Sequence, residues 1–211
     1  MARLPTTRKW LSTRDMDGSL NIGCLTTSWG TIRLDRVKVN RPEVVGTVLF
    51  LPFQDESFRA CTFTDVVEHL PVGSEQRALK EICRVLKPGG WVLVTAPNSV
   101  KGQKFFDLFW WWRGHRHYTR RQLVGLLHGV GFVVDGAWTT GEPYREIVRS
   151  WVRAASFLWR RVRGVLPPWP SEGAPSDLFD SDLGYTVFVA ATKRAKNGTA
   201  SRPGLASGVA K

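Results

Sequence analysis

Residues 45–98, VGTVLFLPFQDESFRACTFTDVVEHLPVGSEQRALKEICRVLKPGGWVLVTAPN, decide the fold. They read as strand, tight loop, strand, helix, glycine turn and strand. Ala60 to Val67 is apolar and rich in β-branched residues, the composition of a strand buried on both faces. Ser74 stands at the N-cap of a helix in which Leu79, Ile82, Cys83 and Leu86 recur at helical spacing on one stripe. Pro88-Gly89-Gly90 ends that helix, and Trp91 to Ala96 is a second apolar strand, stopped by Pro97-Asn98. Two apolar strands joined by an amphipathic helix make a βαβ unit, so the expectation is a right-handed crossover in an α/β sheet.

Working outward, 211 residues with 43% hydrophobic content suit one domain with short extensions. Cys24, Cys61 and Cys83 fall in predicted strand or helix without CxxC spacing, so they read as buried thiols of a reducing, cytoplasmic protein. No run approaches the roughly 18 apolar residues of a membrane span, and MARLPTTRKW lacks the apolar centre of a signal peptide. His69, His115, His117 and His128 are scattered without ligand spacing, so no metal is expected. No phosphate-cradling GxxxxGK[ST] loop is present either. The net charge of +12 points to an anionic partner, whether nucleic acid, a membrane surface or an acidic substrate, or to a composition that simply favours Arg. The ten Trp are many for this length, and their placement bears on the choice between partners.

Three pieces, LPFQDESF, DVVEHL and ALKEICRVLKPGGWVLVTAPN, in this order and spacing, resemble the class I S-adenosylmethionine-dependent methyltransferases of the type 11 kind. The resemblance extends over residues 20–132 and again over 184–193. It implies an α/β, Rossmann-like sheet of seven strands, mostly parallel, with an antiparallel last strand. The domain is then residues 19–193, after a flexible basic arm at 1–18 and before a disordered tail at 194–211.

The family pattern assigns the cofactor side of the site. Leu20 to Cys24 resembles the first strand and its glycine turn, with Gly23 and Cys24 against the methionine part of S-adenosylmethionine. Leu25 stands where a second glycine is usual. Thr31 to Asp35 resembles the second strand, with Asp35 in the place of the acid that accepts the ribose hydroxyls; the plainer alternative is a strand-ending surface Asp. The first crossover is shortened, because Leu25 to Gly30 cannot hold the usual helix. Val44 to Phe50 is the third strand, where Gly46-Thr47 replaces Gly-Asp, so Thr47 and the backbone of Val48 are left to meet the adenine, with Leu51-Pro52-Phe53 as a wall. Arg59 replaces a further family acid. Thr64 and Asp65 end the fourth strand near the transferred methyl, since open α/β sheets bind ligands at the carboxyl ends of strands. Glu68-His69 resembles the family's EH pair, read as positioning the next helix.

The acceptor side is read from two segments. Residues 98–121 are an aromatic lid, and His115 matches a family His that takes an acceptor proton or else orients the lid. Thr119 is the N-cap of a helix with Leu123, Leu126, Leu127 and Val130 on its apolar stripe. Gly131 to Trp138 and Gly184 to Thr192 are the last two strands. Between them, 142–183 is a helical insertion whose 142–166 part sets Trp151 and Trp159 opposite Arg145, Arg149 and Arg153. That is the pattern of an interfacial helix on an anionic membrane, or of a helix packed on its own domain with a solvated face. The reading is therefore a methyltransferase for a small-molecule or lipid-linked acceptor at a membrane surface. The alternative is an inactive scaffold or partner subunit of the same fold. A nucleic-acid methyltransferase ranks last, because no Asn-Pro-Pro-Tyr motif is present.

Overall fold

The computed structural model describes residues 10–23, 29–99, 116–140 and 184–195. Seven strands follow one another along the chain: β1 (Ser19–Ile22), β2 (Ile32–Asp35), β3 (Val44–Val45), β4 (Phe58–Thr64), β5 (Leu86–Pro97), β6 (Phe132–Thr140) and β7 (Thr186–Lys193). Helix α1 (Glu75–Val85) lies between β4 and β5, and α2 (Arg120–His128) precedes β6. The strands form one sheet in the order β3-β2-β1-β4-β5-β7-β6. Pairing is parallel from β3 through β5, and β7 runs antiparallel to both its neighbours. This is the mostly parallel sheet with an antiparallel last strand expected from the sequence.

Alternation along the strands gives the two faces different partners. Leu20 and Ile22, Cys61 and Phe63, Val92 and Val94, and Val187 and Val189 point to the face covered by α1 and α2. There Ala78, Leu79, Ile82 and Val85 of α1 and Leu123 and Leu127 of α2 complete the core. The opposite face holds Leu93, Phe188 and Ala190 under Trp10, Leu11, Met16, Trp29, Trp91 and Trp138. Trp10 meets Trp91 edge-on at 5.3 Å and Trp138 stacks on Phe188 at 5.8 Å, offset geometries that suit the ring quadrupoles. Further along that face Thr62 donates to Asn21 Oδ1 at 3.0 Å, and Asn21 Nδ2 donates to the Trp29 carbonyl at 3.1 Å. These bonds satisfy a buried polar pair between β1 and β4.

Local differences from the sequence reading have local causes. The third strand is only Val44–Val45, because Thr47 turns the chain: its carbonyl accepts from Phe50 N–H at 3.2 Å. Helix α1 ends at Val85 rather than at the glycines, since Leu86 is already extended and pairs with Phe58. Ser74 precedes α1 without capping it; its hydroxyl donates back to the Pro71 carbonyl at 2.6 Å. Thr119 does cap α2, with Gln122 N–H on Thr119 Oγ1 and Thr119 N–H on Gln122 Oε1. Of the arm expected at 1–18, residues 10–18 are described and pack on the sheet through Trp10, Leu11 and Met16 rather than hanging free; the part before Trp10, most of the lid, the helical insertion and the tail from residue 196 lie outside the described residues.

The cap and the second face are expected to differ in weight. Thr119→Ala should cost about 1 kcal/mol, the usual worth of a cap. Phe188→Ala, at a fully buried position, should cost about 3–5 kcal/mol. Urea unfolding midpoints check both, and equal costs would contradict the packing described.

Candidate functional site

The carboxyl ends of β1 to β5 and of β6 lie along one edge of the sheet, as does the start of β7. Register fixes who stands beside whom. Ile22 pairs with Leu34 and with Phe63, so Gly23 sits level with Asp35 on one side and Thr64 on the other. Asp35 pairs with Val45, and its carbonyl accepts from Gly46 N–H at 2.9 Å. Gly46-Thr47, Asp35, Gly23 and Thr64-Asp65 thus form a row across four adjacent strands, about 4.8 Å apart from strand to strand.

Asp35 is 7% exposed. Its Oδ1 accepts from Val37 N–H at 2.9 Å and its Oδ2 from Asn40 Nδ2 at 2.9 Å. A carboxylate accepts hydrogen bonds through about four lone-pair positions. The two bonds fix the plane of the carboxylate at the tip of β2. Gly23 has φ +72, and a Cβ there would come within 2.2 Å of Val66 Cγ2. Only glycine lets the backbone of β1 run this close to the turn after β4. The Thr47 hydroxyl accepts from Leu49 N–H at 3.3 Å and retains its own proton to donate. Val48 is buried and its side chain belongs to the core.

The loop at Leu51-Pro52-Phe53 is held by one guanidinium. Arg84 on α1 donates to the Leu51 carbonyl at 3.0 Å and the Phe53 carbonyl at 2.8 Å. The same fork meets Asp55 at 2.8 Å and Glu81 at 2.9 Å, while Glu81 Oε2 accepts from Leu51 N–H at 2.9 Å. The hydrogen bonds from Arg84 hold the Glu81 carboxyl below the usual carboxylate range. LPFQDESF and the helix that follows β4 are therefore one bonded unit. Phe50 projects outward from this loop at 63% exposure, with the Arg77 guanidinium 3.8 Å above its ring.

At the end of β4, Asp65 adopts φ 57, a left-handed conformation uncommon outside glycine. A 3-10 turn at Val67–His69 follows, with Glu68 buried and His69 exposed. Arg116 locks this turn: it donates to the Val67 carbonyl at 3.1 Å and the Leu70 carbonyl at 2.6 Å, and pairs with Glu75. The Tyr118 hydroxyl donates to Glu75 at 3.2 Å, and burial pushes its pKa up, which disfavours the phenolate. Tyr118 N–H also donates to the Pro97 carbonyl at 2.9 Å, and Asn98 N–H to the Tyr185 carbonyl at 2.7 Å. Of the residues singled out from the sequence, Gly23, Asp35, Thr47, Val48, Thr64 and Asp65 are gathered at this edge. Cys24, Leu25 and His115 lie outside the described residues. Among the described residues no group of His, Cys, Asp or Glu could hold a metal, and no helix is long and apolar enough to cross a membrane. Sequence reading missed Asn40, whose partner Asp35 is five residues away, and Thr95 and Arg116, whose partners are distant along the chain; a polar residue near each strand tip was the available signal.

The methyltransferase domain family model matches residues 10–94. An uncharacterized protein of Methanocaldococcus jannaschii is 31% identical over 112 residues, 46% of this chain and 41% of that protein. A demethylmenaquinone methyltransferase of Mycobacterium sp. (strain KMS) is 28% identical over 128 residues, 59% of this chain and 48% of that enzyme. The chain thus spans less than half the length of these curated relatives. Among solved structures, a SAM-dependent methyltransferase of Thermotoga maritima superposes with TM-score 0.61 at 18% identity, covering 92% of this chain and 98% of that one. That likeness shows the fold. Together with the family match, it bears out the resemblance read from the three motif pieces.

The Arg84 fork has a pH signature. Glu81 has a folded pKa below its unfolded one, so its contribution is complete above the unfolded value and is lost as pH falls through the folded value. The gap in urea midpoint between the natural protein and Glu81→Gln should be widest near neutral pH and narrow below about pH 4.3. A gap that stays constant down to pH 3 would contradict the pairing.

Proposed function

We propose that this protein, whose residues 10–94 match the methyltransferase domain family, is an S-adenosylmethionine-dependent methyltransferase. The observation that carries this is the row formed by Asp35, Gly23 and Thr64-Asp65 across neighbouring strand tips. When bound, S-adenosylmethionine supplies a methyl group already activated by a sulfonium charge. The chain's own task is then alignment and water exclusion. Asp35, its plane fixed by Val37 N–H and Asn40, accepts the ribose hydroxyls, a task suited to a carboxylate because it only accepts hydrogen bonds. Gly23 and Cys24 bring backbone against the methionine part. Thr47 and the Val48 backbone meet the adenine beside the Leu51-Pro52-Phe53 wall. His115 accepts the proton of the acceptor.

The acceptor in this reading is a small or lipid-linked molecule. Relatives named demethylmenaquinone methyltransferases support that class. The alternation of Arg and Trp in 142–166 supports action at an anionic membrane surface on the cytoplasmic side. A second reading, a non-catalytic scaffold of the same fold, draws on Leu25, Thr47, Arg59 and the short first crossover, all on the cofactor side.

Calorimetric titration separates the two. The enzyme reading expects micromolar binding of S-adenosylmethionine. It also expects Asp35→Ala to weaken that binding by roughly ten- to a hundredfold, the worth of hydrogen bonds to a charged group, with helical content unchanged. No binding at millimolar concentration would leave the scaffold. Transfer of labelled methyl to demethylmenaquinone, with and without anionic vesicles, then checks the acceptor class.

A further inference from the structure

Among the described residues, the large apolar side chains left exposed are Val37, Val45, Phe50, Val72 and Val133. A single exposed apolar residue is ordinary in a folded protein. Their placement is not random. Val37 follows β2, Val45 ends β3, Phe50 lies just beyond β3, and Val72 stands in the turn between Val67–His69 and α1. All four belong to the edge where the parallel strands end, which is the edge that carries Asp35, Gly23 and Thr64-Asp65. Val133, at the start of β6, is at the opposite edge. Val72 is displayed on a closed turn: Ser74 N–H donates to the Pro71 carbonyl at 3.0 Å, and Gly73 takes the positive φ of +84 that the turn needs. At 86% exposure its side chain is almost wholly in solvent.

The exposed charges divide the same way. Arg36, Lys38 and Arg77 stand exposed among these apolar residues, and Arg121 is exposed at the start of α2 on the same edge. The Arg77 guanidinium lies 3.8 Å above the Phe50 ring. The acids of these turns are engaged or buried: Glu43 pairs with Arg33 at 2.6 Å, Glu75 with Arg116, and Glu68 is buried. The opposite edge, where β1, β4 and β5 begin, exposes Asp17 and Asp55 as well as Arg59 and Lys87. Basic excess and exposed apolar side chains thus fall together on one edge.

We propose that this edge docks on an anionic lipid bilayer, with Phe50 and Val72 set among the headgroups and Arg36, Lys38 and Arg77 against the lipid phosphates. The inference rests on the membrane-surface reading above and adds the face of the sheet that meets the lipid, from residues outside 142–166. Single apolar side chains alternating with cations suit a bilayer interface, where apolar groups enter the acyl boundary and long cationic chains reach back to the phosphates. A protein interface gathers its apolar residues at its centre and excludes lysine from it. Nucleic-acid affinity comes mainly from phosphate contacts, to which exposed valines add nothing. Docked in this way, the row of Asp35, Gly23 and Thr64-Asp65 faces the lipid boundary, so a lipid-linked acceptor meets the methyl group without leaving the bilayer.

Cosedimentation of the full chain with vesicles of equal parts phosphatidylglycerol and phosphatidylcholine tests this through matched variants. Lys38→Glu and Lys87→Glu make the same change of charge at opposite edges, and Val72→Ser and Val133→Ser the same apolar loss. Vesicle binding should fall roughly tenfold for Lys38→Glu and roughly threefold or more for Val72→Ser. Lys87→Glu and Val133→Ser, more than a Debye length from the lipid, should change it by less than about twofold. Equal losses within each pair would overturn the proposal. So would binding that only Trp151→Ser with Trp159→Ser weakens, which would leave residues 142–166 as the membrane contact. A lipid-free dimer abolished by the edge variants would assign the face to a second copy, and tighter binding to duplex RNA than to the vesicles would assign it to nucleic acid; either overturns the proposal. Titration with S-adenosylhomocysteine without lipid keeps the two readings apart. Vesicle binding without ligand binding overturns the methyltransferase reading and supports the docking edge, and ligand binding without vesicle binding does the reverse.

Discussion

Two neighbouring parallel strands need a crossover, and the one between β1 and β2 has only residues 23–31 in which to run. A parallel connection usually takes about a dozen residues or more and a helix. Gly23 N–H bonds the Leu34 carbonyl at 2.8 Å at one end of the pair and Thr31 N–H the Ser19 carbonyl at 3.0 Å at the other, so the two strands stay paired along their length. The face of the sheet that such a helix would cover must be closed by other means. Trp10, Trp29, Trp91 and Trp138 do that, with Leu11 and Met16 between them and the Asn21–Thr62 pair filling the part of the face that stays polar. A cluster of large rings buries much apolar area with few residues. The Trp content that suggested a partner surface is, in the described part of the chain, the price of a short loop.

The same constraint shapes the site. A crossover helix would bring its N-terminus to the ligand edge; among the described residues that edge is built from strand ends and turns. Hydrogen bonds, some local and some from distant elements, fix those turns. Arg84 binds the Leu51-Pro52-Phe53 loop to α1, Asn40 and Val37 N–H set Asp35, Thr95 sets Asp65, and Arg116 sets the turn at Val67–His69. Each is a charge-assisted or buried hydrogen bond to backbone or carboxylate, the class of contact that holds geometry as well as adding stability.

How much of this is legible from sequence follows from the range of each interaction. The apolar runs at β4 and β5 and the stripe on α1 are local patterns, and they place the sheet correctly. Thr119 with Gln122 three residues on is a local signal too, and the capping box forms. Ser74 looks equivalent but fails as a cap, because Pro71 offers its hydroxyl a nearer carbonyl. The early end of α1 reflects pairing of Leu86 with Phe58, a tertiary demand that the Pro88-Gly89-Gly90 signal does not contain. Asp35 and Asp65 were visible as strand-end acids. Their partners Asn40 and Thr95 were not, since the sequence does not say which polar neighbour will be folded against them.

The central claim is that the cofactor lies across the tips of β3, β2, β1 and β4. Amide chemical-shift mapping during titration with S-adenosylhomocysteine tests it most directly. The account predicts saturable shifts concentrated at Gly23, Asp35 to Asn40, Thr47-Val48 and Thr64-Asp65, with the tryptophan face unmoved. Saturable binding that leaves those amides unchanged, or that perturbs the tryptophan face instead, would contradict it.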